Sequence, residues 1–315
     1  MACDSFKGSF GAQEVTAAIA RGLRSGGRDA IECPIADGGE GTMHVLLEAL
    51  GGELRTASVG DPLDREVEAE FALLPDGATA LVECAQASGL GLVEKSERDA
   101  LAASTRGTGE LIIAAVEAGA QAVLVTVGGS ATTDGGAGAV EALEEARVRP
   151  QLTVLCDVRT PWEQAPQSFA PQKGADAAQV RELERRLERL AASAPRDPRG
   201  VAMTGAAGGL SGGLWAHMDA KLVPGAPYVL EALDFDSSMR RCAFAVTGEG
   251  ALDRQTLQGK AAGEVATRCR QSGVACHAIV GTNRLEPFEA RILDLASIFE
   301  ATTLAELEEG GRALA

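Results

Sequence analysis

Four stretches of this chain share one plan: a short apolar run opens into a polar loop of Gly, Ser or Thr, and acidic residues. PIA (34–36) runs into DGGEGT (37–42), VTV (125–127) into GGSATTDGGAG (128–138), VLC (154–156) into DVRTP (157–161), and AVT (245–247) into GEGALD (248–253). Apolar runs this short, alternating with helix-periodic stretches, are the mark of βα units, which build a parallel sheet. In an open parallel sheet the loops that follow the strands lie along one edge, and ligands bind there. A single Gly-rich loop is more often a tight turn than a ligand site, and a lone loop Asp usually caps a helix. Four such loops on one edge make function the better reading.

The intervening segments fit this frame. Val15, Ala18, Ile19, Gly22 and Leu23 fall at helical spacing, and SGG at 25–27 stops the helix. AIECPIA (30–36) reads as a buried strand ending at Asp37, and Met43, Leu46, Leu47 and Leu50 form the next helical face. The character changes after Gly51–Gly52. Val67, Ala69, Phe71 and Leu73 alternate with Glu66, Glu68 and Glu70, as in a half-solvated antiparallel strand, and PDG (75–77) turns it into TALVECA (79–85). A domain boundary is therefore expected near residue 52.

The βα rhythm then resumes. A helix from near Thr108 carries Leu111, Ile112, Ala115 and Val116; AVLVTV (122–127) and LTVLCDV (152–158) read as strands. Val180, Leu183, Leu187 and Leu190 stripe a charged helix, APRDPRG (194–200) is a surface connection, and TGAAGGLSGG (204–213) reads as a further Gly-rich loop. AFAVT (243–247), a helix to about Ser272, the strand CHAIVG (276–281) and an acidic tail close the chain.

Composition narrows the function classes. With 315 residues, 45% of them hydrophobic but only 3% aromatic, the core has to be built of Ala, Val, Leu and Ile, which suits α/β layering. A net charge of −16 argues against a nucleic-acid or anionic-membrane surface, while leaving room for anionic small substrates in a locally positive site. Seven Cys stand singly at 3, 33, 84, 156, 242, 269 and 276, with no CxxC, which fits a reduced protein better than a disulfide framework or a zinc site. No secretory leader and no bilayer-length apolar run is visible, so the expectation is a soluble, cytoplasmic protein.

Glycine lets a backbone approach phosphate closely, and the free N–H groups at a helix start favour an anion. Loop carboxylates hold Mg²⁺ or take a proton from a hydroxyl. Repeated at several strand ends, these residue types point to phosphoryl transfer. The familiar nucleotide motifs are absent: Gly259–Lys260 has Arg254 where GxxxxGK[ST] needs its first Gly, and Ala261 follows it. GTGELI, GEGALD and GGAGAV lack the last Gly of GxGxxG, which weakens a dinucleotide oxidoreductase reading.

Read in order, eight stretches resemble the bacterial type I glycerate kinase family: DSFKGS (4–9), PIADGGEGT (34–42), ECAQASGL (83–90), TRGTGELI (105–112), GGSATTDGGAG (128–138), PQKGA (171–175), GAAGG (205–209) and GEGALDRQTLQGK (248–260). The resemblance implies an α/β fold of two domains: a discontinuous Rossmann-like parallel-sheet domain (1–52 and 238–315) and an inserted mixed α/β domain (53–237), with the active site in the cleft between them. It implies ATP-dependent phosphorylation of D-glycerate, 2-phosphoglycerate being favoured over 3-phosphoglycerate, with Mg²⁺. The alternatives are a catalytically weak nucleotide- or sugar-acid-binding paralogue, and a kinase for a related small hydroxy acid.

On this pattern Lys7, Asp37, Asp253 and Lys260 are the catalytic candidates. Asp37, Glu40, Glu249 and Asp253 are the candidates for Mg²⁺, and for taking the proton. Asp4, Ser5, Ser9, Gly38, Gly39, Thr42, Gly128, Gly129, Ser130, Thr132 and Lys173 would meet substrate or phosphate. Plainer readings stand beside two residues: a Lys after a Pro-Gln turn is most often solvated, and Asp134 caps its helix.

Two departures from the family pattern stand out. Family members carry a few dozen residues between the GGSATTDGGAG helix and the CDV strand; here EALEEARVRPQLTVLCDV nearly joins them, a change that bears on acceptor preference. The family also has a hydrophobic strand before the DSFKGS loop, of which only Ala2–Cys3–Asp4 would be the end. The expectation is either a start further upstream or a less stable form.

Overall fold

The structure is a computed structural model that describes residues 1–6 and 8–315. Its strands, in chain order, are β1 (Ala2–Cys3), β2 (Glu53–Gly60), β3 (Glu66–Leu73), β4 (Thr79–Glu83), β5 (Ala122–Val127), β6 (Gln151–Cys156), β7 (Lys221–Pro224), β8 (Phe244–Gly248), β9 (Ala251–Leu252), β10 (Ala275–Val280), β11 (Thr282–Asn283) and β12 (Ser297–Glu300). The chain divides into two compact units, Met1–Asp37 with Ala226–Ala315, and Gly38–Gly225. The first division falls upstream of the composition change at Gly51–Gly52, because the helix Thr42–Leu50 packs on β3 and β4. The second falls at 225/226, ahead of the expected 238, because Ala226 and Leu230 join the first unit's core.

The first unit is built on a parallel sheet of order β1-β8-β10-β12. Successive side chains of a strand point to opposite faces, and each face here has its own core. Ala2, Ala245, Cys276, Ala278 and Val280 meet the helices Gly225–Ala232 and Ala261–Ser272 on one side. Cys3, Val246 and Ile279 meet the helices Ala12–Ser25 and Leu304–Ala313 on the other. The tail is thus more than an acidic extension: SIFE supplies the edge strand β12, and Leu307 is fully buried against Ile19.

AIECPIA is not a regular strand. Cys33 N–H donates to the Met1 carbonyl, Ile35 N–H to the Cys3 carbonyl and the Met1 amino group to the Ile31 carbonyl, so the segment runs beside the chain start without forming a regular ladder. Pro34 has no N–H to add, and Ile31 and Glu32 are exposed.

The second unit holds a six-stranded sheet, β2-β3-β4-β5-β6-β7, antiparallel from β2 to β4 and parallel from β4 to β7. Val123, Val125 and Val127 of β5 and Leu152, Val154 and Cys156 of β6 bury one face against Leu111, Ile112, Leu143, Leu210 and Leu214. The 204–213 stretch differs from the expected Gly-rich loop in being partly helical. It forms a buried turn, with Ala207 and Gly208 left-handed, and then the helix Leu210–His217. Small residues there let the turn lie against the Thr132 backbone and the Trp162 ring.

Candidate active site

In the first unit all four strands of the main sheet are parallel, so their carboxyl ends share one edge. Asp4 follows β1, Glu249 follows β8, Gly281 follows β10, and Thr302 lies just beyond β12. These residues line a cavity of about 390 Å³, together with Ser5, Phe6, Ser9, Asp253, Lys260, Thr282 and Arg284. Asp4 N–H donates to the Gly248 carbonyl at 2.9 Å, fixing the first loop to the end of β8, and its Oδ1 takes the Ser5 N–H at 2.6 Å.

One hydroxyl organises the 248–260 loop. Thr256 Oγ1 donates to Glu249 Oε1 at 2.6 Å and accepts the Asp253 N–H at 3.1 Å. Glu249 is 5% exposed. Burial pushes its carboxyl up to about 7, against the Thr256 bond and the Lys260 charge, with Asp253 and Asp37 adding to the rise. Asp37 is itself buried. Asp253 stays half-buried, its Oδ1 holding the Gln255 N–H at 2.8 Å, and Lys260 immediately precedes the helix Ala261–Ser272.

In the second unit, the loops at 38–42 and 128–134 approach backbone to backbone at Gly39 and Gly128, and the Glu40 side chain lies against Gly129. A Cβ on Gly128 would lie 2.5 Å from Gly39 Cα, so only glycine fits. Val127 N–H donates to the Gly38 carbonyl, Leu90 N–H to the Gly129 carbonyl and Ala131 N–H to the Ser88 carbonyl. Glu83, at the end of β4, holds the first of these loops. Its carboxylate accepts the Gly41 N–H at 2.9 and 3.0 Å and the Met43 N–H at 3.2 Å, at the start of the helix Thr42–Leu50. Burial raises its pKa, against those backbone bonds.

The second of these loops is held by Asp134 and Lys173. Asp134 takes the Thr105 N–H and hydroxyl, the Gly136 N–H and the Gly138 N–H, which is the capping role its sequence suggested. Lys173 is turned inward, 2% exposed, with Nζ donating to Ser130 Oγ at 2.9 Å and to the Thr132 carbonyl at 2.5 Å. The solvated position expected after a Pro-Gln turn is therefore not the one it takes.

The sequence candidates thus form two groups, one in each unit. Asp4, Ser5, Ser9, Asp37, Glu249, Asp253 and Lys260 belong to the first; Gly38, Gly39, Glu40, Thr42, Gly128, Gly129, Ser130, Thr132 and Lys173 belong to the second. Lys7 lies outside the described residues. Sequence reasoning passed over Arg284, Thr282 and Thr302, which line the cavity from the ends of β10 and β12. Their strand ends carry no Gly-rich signature beyond Gly281, so position in the sheet was the missing signal. Glu83 was inside a quoted stretch but received no role.

Fold and loops together define a class: an α/β protein in which one unit gathers charged and hydroxyl side chains at the carboxyl ends of parallel strands and the other holds tightly packed Gly-rich loops. Comparison with known proteins makes this particular. The glycerate kinase family model matches residues 1–146 and 143–309. Two curated relatives are a glycerate kinase of Halalkalibacterium halodurans, 38% identical over 90% of this chain and 84% of its own, and a glycerate 2-kinase of Escherichia coli, 38% identical over 82% and 78%. A crystal structure from Salmonella typhimurium LT2, of a protein assigned as glycerate kinase 2, superposes with a TM-score of 0.82 at 31% identity, covering 99% of this chain and 96% of the other. The chain belongs to the glycerate kinase family.

Proposed function

We propose that this protein transfers the γ-phosphoryl group of ATP to a hydroxyl of D-glycerate, with Mg²⁺, and that 2-phosphoglycerate is the favoured product. The observation that carries the reading is the cavity at the strand ends, where Asp4, Glu249 and Asp253 stand with Lys260 and Arg284. Phosphoryl transfer asks a protein mainly for positioning and charge neutralisation. Lys260 and Arg284 offer positive charge to phosphate or to the glycerate carboxylate, and the family resemblance adds Lys7. Asp253 and Glu249, which line the cavity, are the candidates to take the proton of the attacking hydroxyl; Asp37 adds its charge to theirs.

Among the described residues no three His, Cys, Asp or Glu side chains gather into a ready-made metal centre. Such a loop suits Mg²⁺, which keeps several waters and takes one or two carboxylates alongside substrate phosphates. Asp253 and Glu249 would hold it, and the ion would neutralise phosphate charge. In the second unit, Gly128, Gly129 and Ser130 offer backbone and hydroxyl donors to an anion. The net charge and the seven unbonded cysteines support action on a small molecule in a reducing, cytoplasmic setting, away from nucleic acid and membranes. Among the described residues no helix is long and apolar enough to cross a bilayer.

The test is ADP release from Mg·ATP with D-glycerate and a panel of related hydroxy acids, followed by phosphorus NMR of the product. Glycerate-dependent ADP with a 2-phosphoglycerate signal is the expected result. No glycerate-dependent ADP from folded protein overturns the reading, and a better hydroxy acid redirects it.

A further inference from the structure

A buried lysine is costly unless its charge is used, and Lys173 is buried beneath a loop with chemistry to perform. Its Nζ donates to Ser130 Oγ and to the Thr132 carbonyl, both in the loop after β5. Cys84 after β4, Asp134 in that loop and Asp157 after β6 act electrostatically on the ammonium. The Asp134 carboxylate is occupied with the Thr105, Gly136 and Gly138 donors and makes no bond to the lysine.

An ammonium group has donors and no acceptor, whereas a serine hydroxyl has one donor and two acceptor sites. Against Lys173, the Ser130 oxygen can only accept, so its proton has to point elsewhere. Among the described residues nothing accepts that proton, and the nearby Thr132 and Thr133 hydroxyls are likewise buried without partners. The loop therefore carries uncommitted donors, one of them given a fixed direction.

We propose that Lys173 is a positioning residue: its ammonium sets the Ser130 hydroxyl as a donor toward an anionic oxygen, phosphate or carboxylate, of a bound substrate. This rests on the phosphoryl-transfer reading and replaces a direct contact between Lys173 and phosphate. A neutral amine has a lone pair and can accept the Ser130 proton, which reverses the relay. Burial draws the Lys173 pKa down to about 8, against the raising effect of Cys84, Asp134 and Asp157. The serine donor is thus enforced below that pH and no longer enforced above it.

The test compares wild type, Ser130→Ala, Lys173→Met and the double variant in kcat/KM for each substrate between about pH 6 and 10, with calorimetric binding of ATP alone and of D-glycerate alone. Ser130→Ala is expected to lower kcat/KM roughly tenfold to a hundredfold, as loss of a hydrogen bond to a charged group does. The alkaline fall near pH 8 disappears in both single variants, and the double variant is no worse than the poorer single one. The ligand whose binding weakens identifies the oxygen as phosphate or carboxylate. An alkaline fall that survives in Ser130→Ala, additive losses, or a Ser130→Ala variant at the wild-type rate overturns the proposal. If Lys173→Met does not fold, the Ser130→Ala profile against wild type decides. If wild type does not phosphorylate glycerate, the reaction assignment falls separately, and unchanged affinity of Ser130→Ala for both ligands overturns the relay.

Discussion

Asp253 and Glu249 share one loop and one threonine, yet they face different surroundings. Asp253 is half-buried at the cavity with its Oδ1 on the Gln255 N–H, whereas Glu249 is buried and tied to Thr256. Asp253→Asn keeps the size and the Gln255 contact while removing the charge. It should lower kcat by about a hundredfold or more if Asp253 takes the proton or holds the metal. Steady-state kinetics on a variant with wild-type melting decides, and a rate within threefold of wild type removes Asp253 from the chemistry. For Glu249 the prediction concerns stability. Its carboxyl is raised from 4.5 to about 7, so between those values the folded chain holds a proton that the unfolded chain has released. Its contribution to stability therefore falls as pH rises through that window. Glu249→Gln keeps an oxygen for Thr256 and cannot ionise. Its Tm should exceed that of wild type at pH 8, with a ceiling of about 3 kcal/mol at roughly 1.4 kcal/mol per pKa unit, and the advantage should vanish toward pH 4.5. A pH-independent difference between the two melting curves would count against a raised carboxyl. Asp134 shows how far residue-level reading reaches, since Asp before Gly-Gly at a helix start is a local signal. Lys173 shows its limit, because its partners Ser130 and Thr132 belong to a loop distant in the chain.

At the scale of elements, close approach decides more than propensity. Gly22 sits inside the helix Ala12–Ser25, where Ala would ordinarily be favoured by about 1 kcal/mol. A Cβ there would lie 1.9 Å from the Glu308 carbonyl oxygen in the helix Leu304–Ala313, and that backbone cannot yield without unpacking the pair. Gly22→Ala should therefore destabilise by roughly 1–3 kcal/mol, the usual cost of overpacking. Calorimetric melting checks it; a raised Tm would mean the helices sit further apart. The helices Ala12–Ser25, Thr42–Leu50, Arg106–Glu117, Ala177–Ser193 and Ala261–Ser272 and the strands β3, β4, β5, β6, β8 and β10 were legible because periods of 3.6 and 2 leave a trace in the apolar residues. The misread segments lack that trace. AIECPIA is apolar but interrupted by Pro34, GAAGG is glycine-rich yet buried, and SIFE is a strand only because β10 offers it an edge.

At the scale of the molecule, the last residues complete the first unit. Val15 and Ile19 are fully buried, and Leu307 of the tail helix is part of the same core. Ending the chain after Thr303 should cost several kcal/mol, at about 1.5–3 kcal/mol per large apolar side chain uncovered. Light scattering and thermal melting of the shortened chain test this; an undiminished Tm without association would show the helix to be dispensable.

The sequence by itself determined the class of fold, the family, and most of the loops that supply the candidate site. Those signals are local, as alternation and glycine followed by acid or hydroxyl occupy consecutive residues. Only the tertiary structure decided that Arg284, Thr282 and Thr302 share a cavity with Asp4 and Glu249, that Glu83 holds the 38–42 loop, and that Lys173 serves a serine from beneath. Strand order in a sheet and the burial of a charge are set by residues distant in the chain, and no stretch of consecutive letters records them.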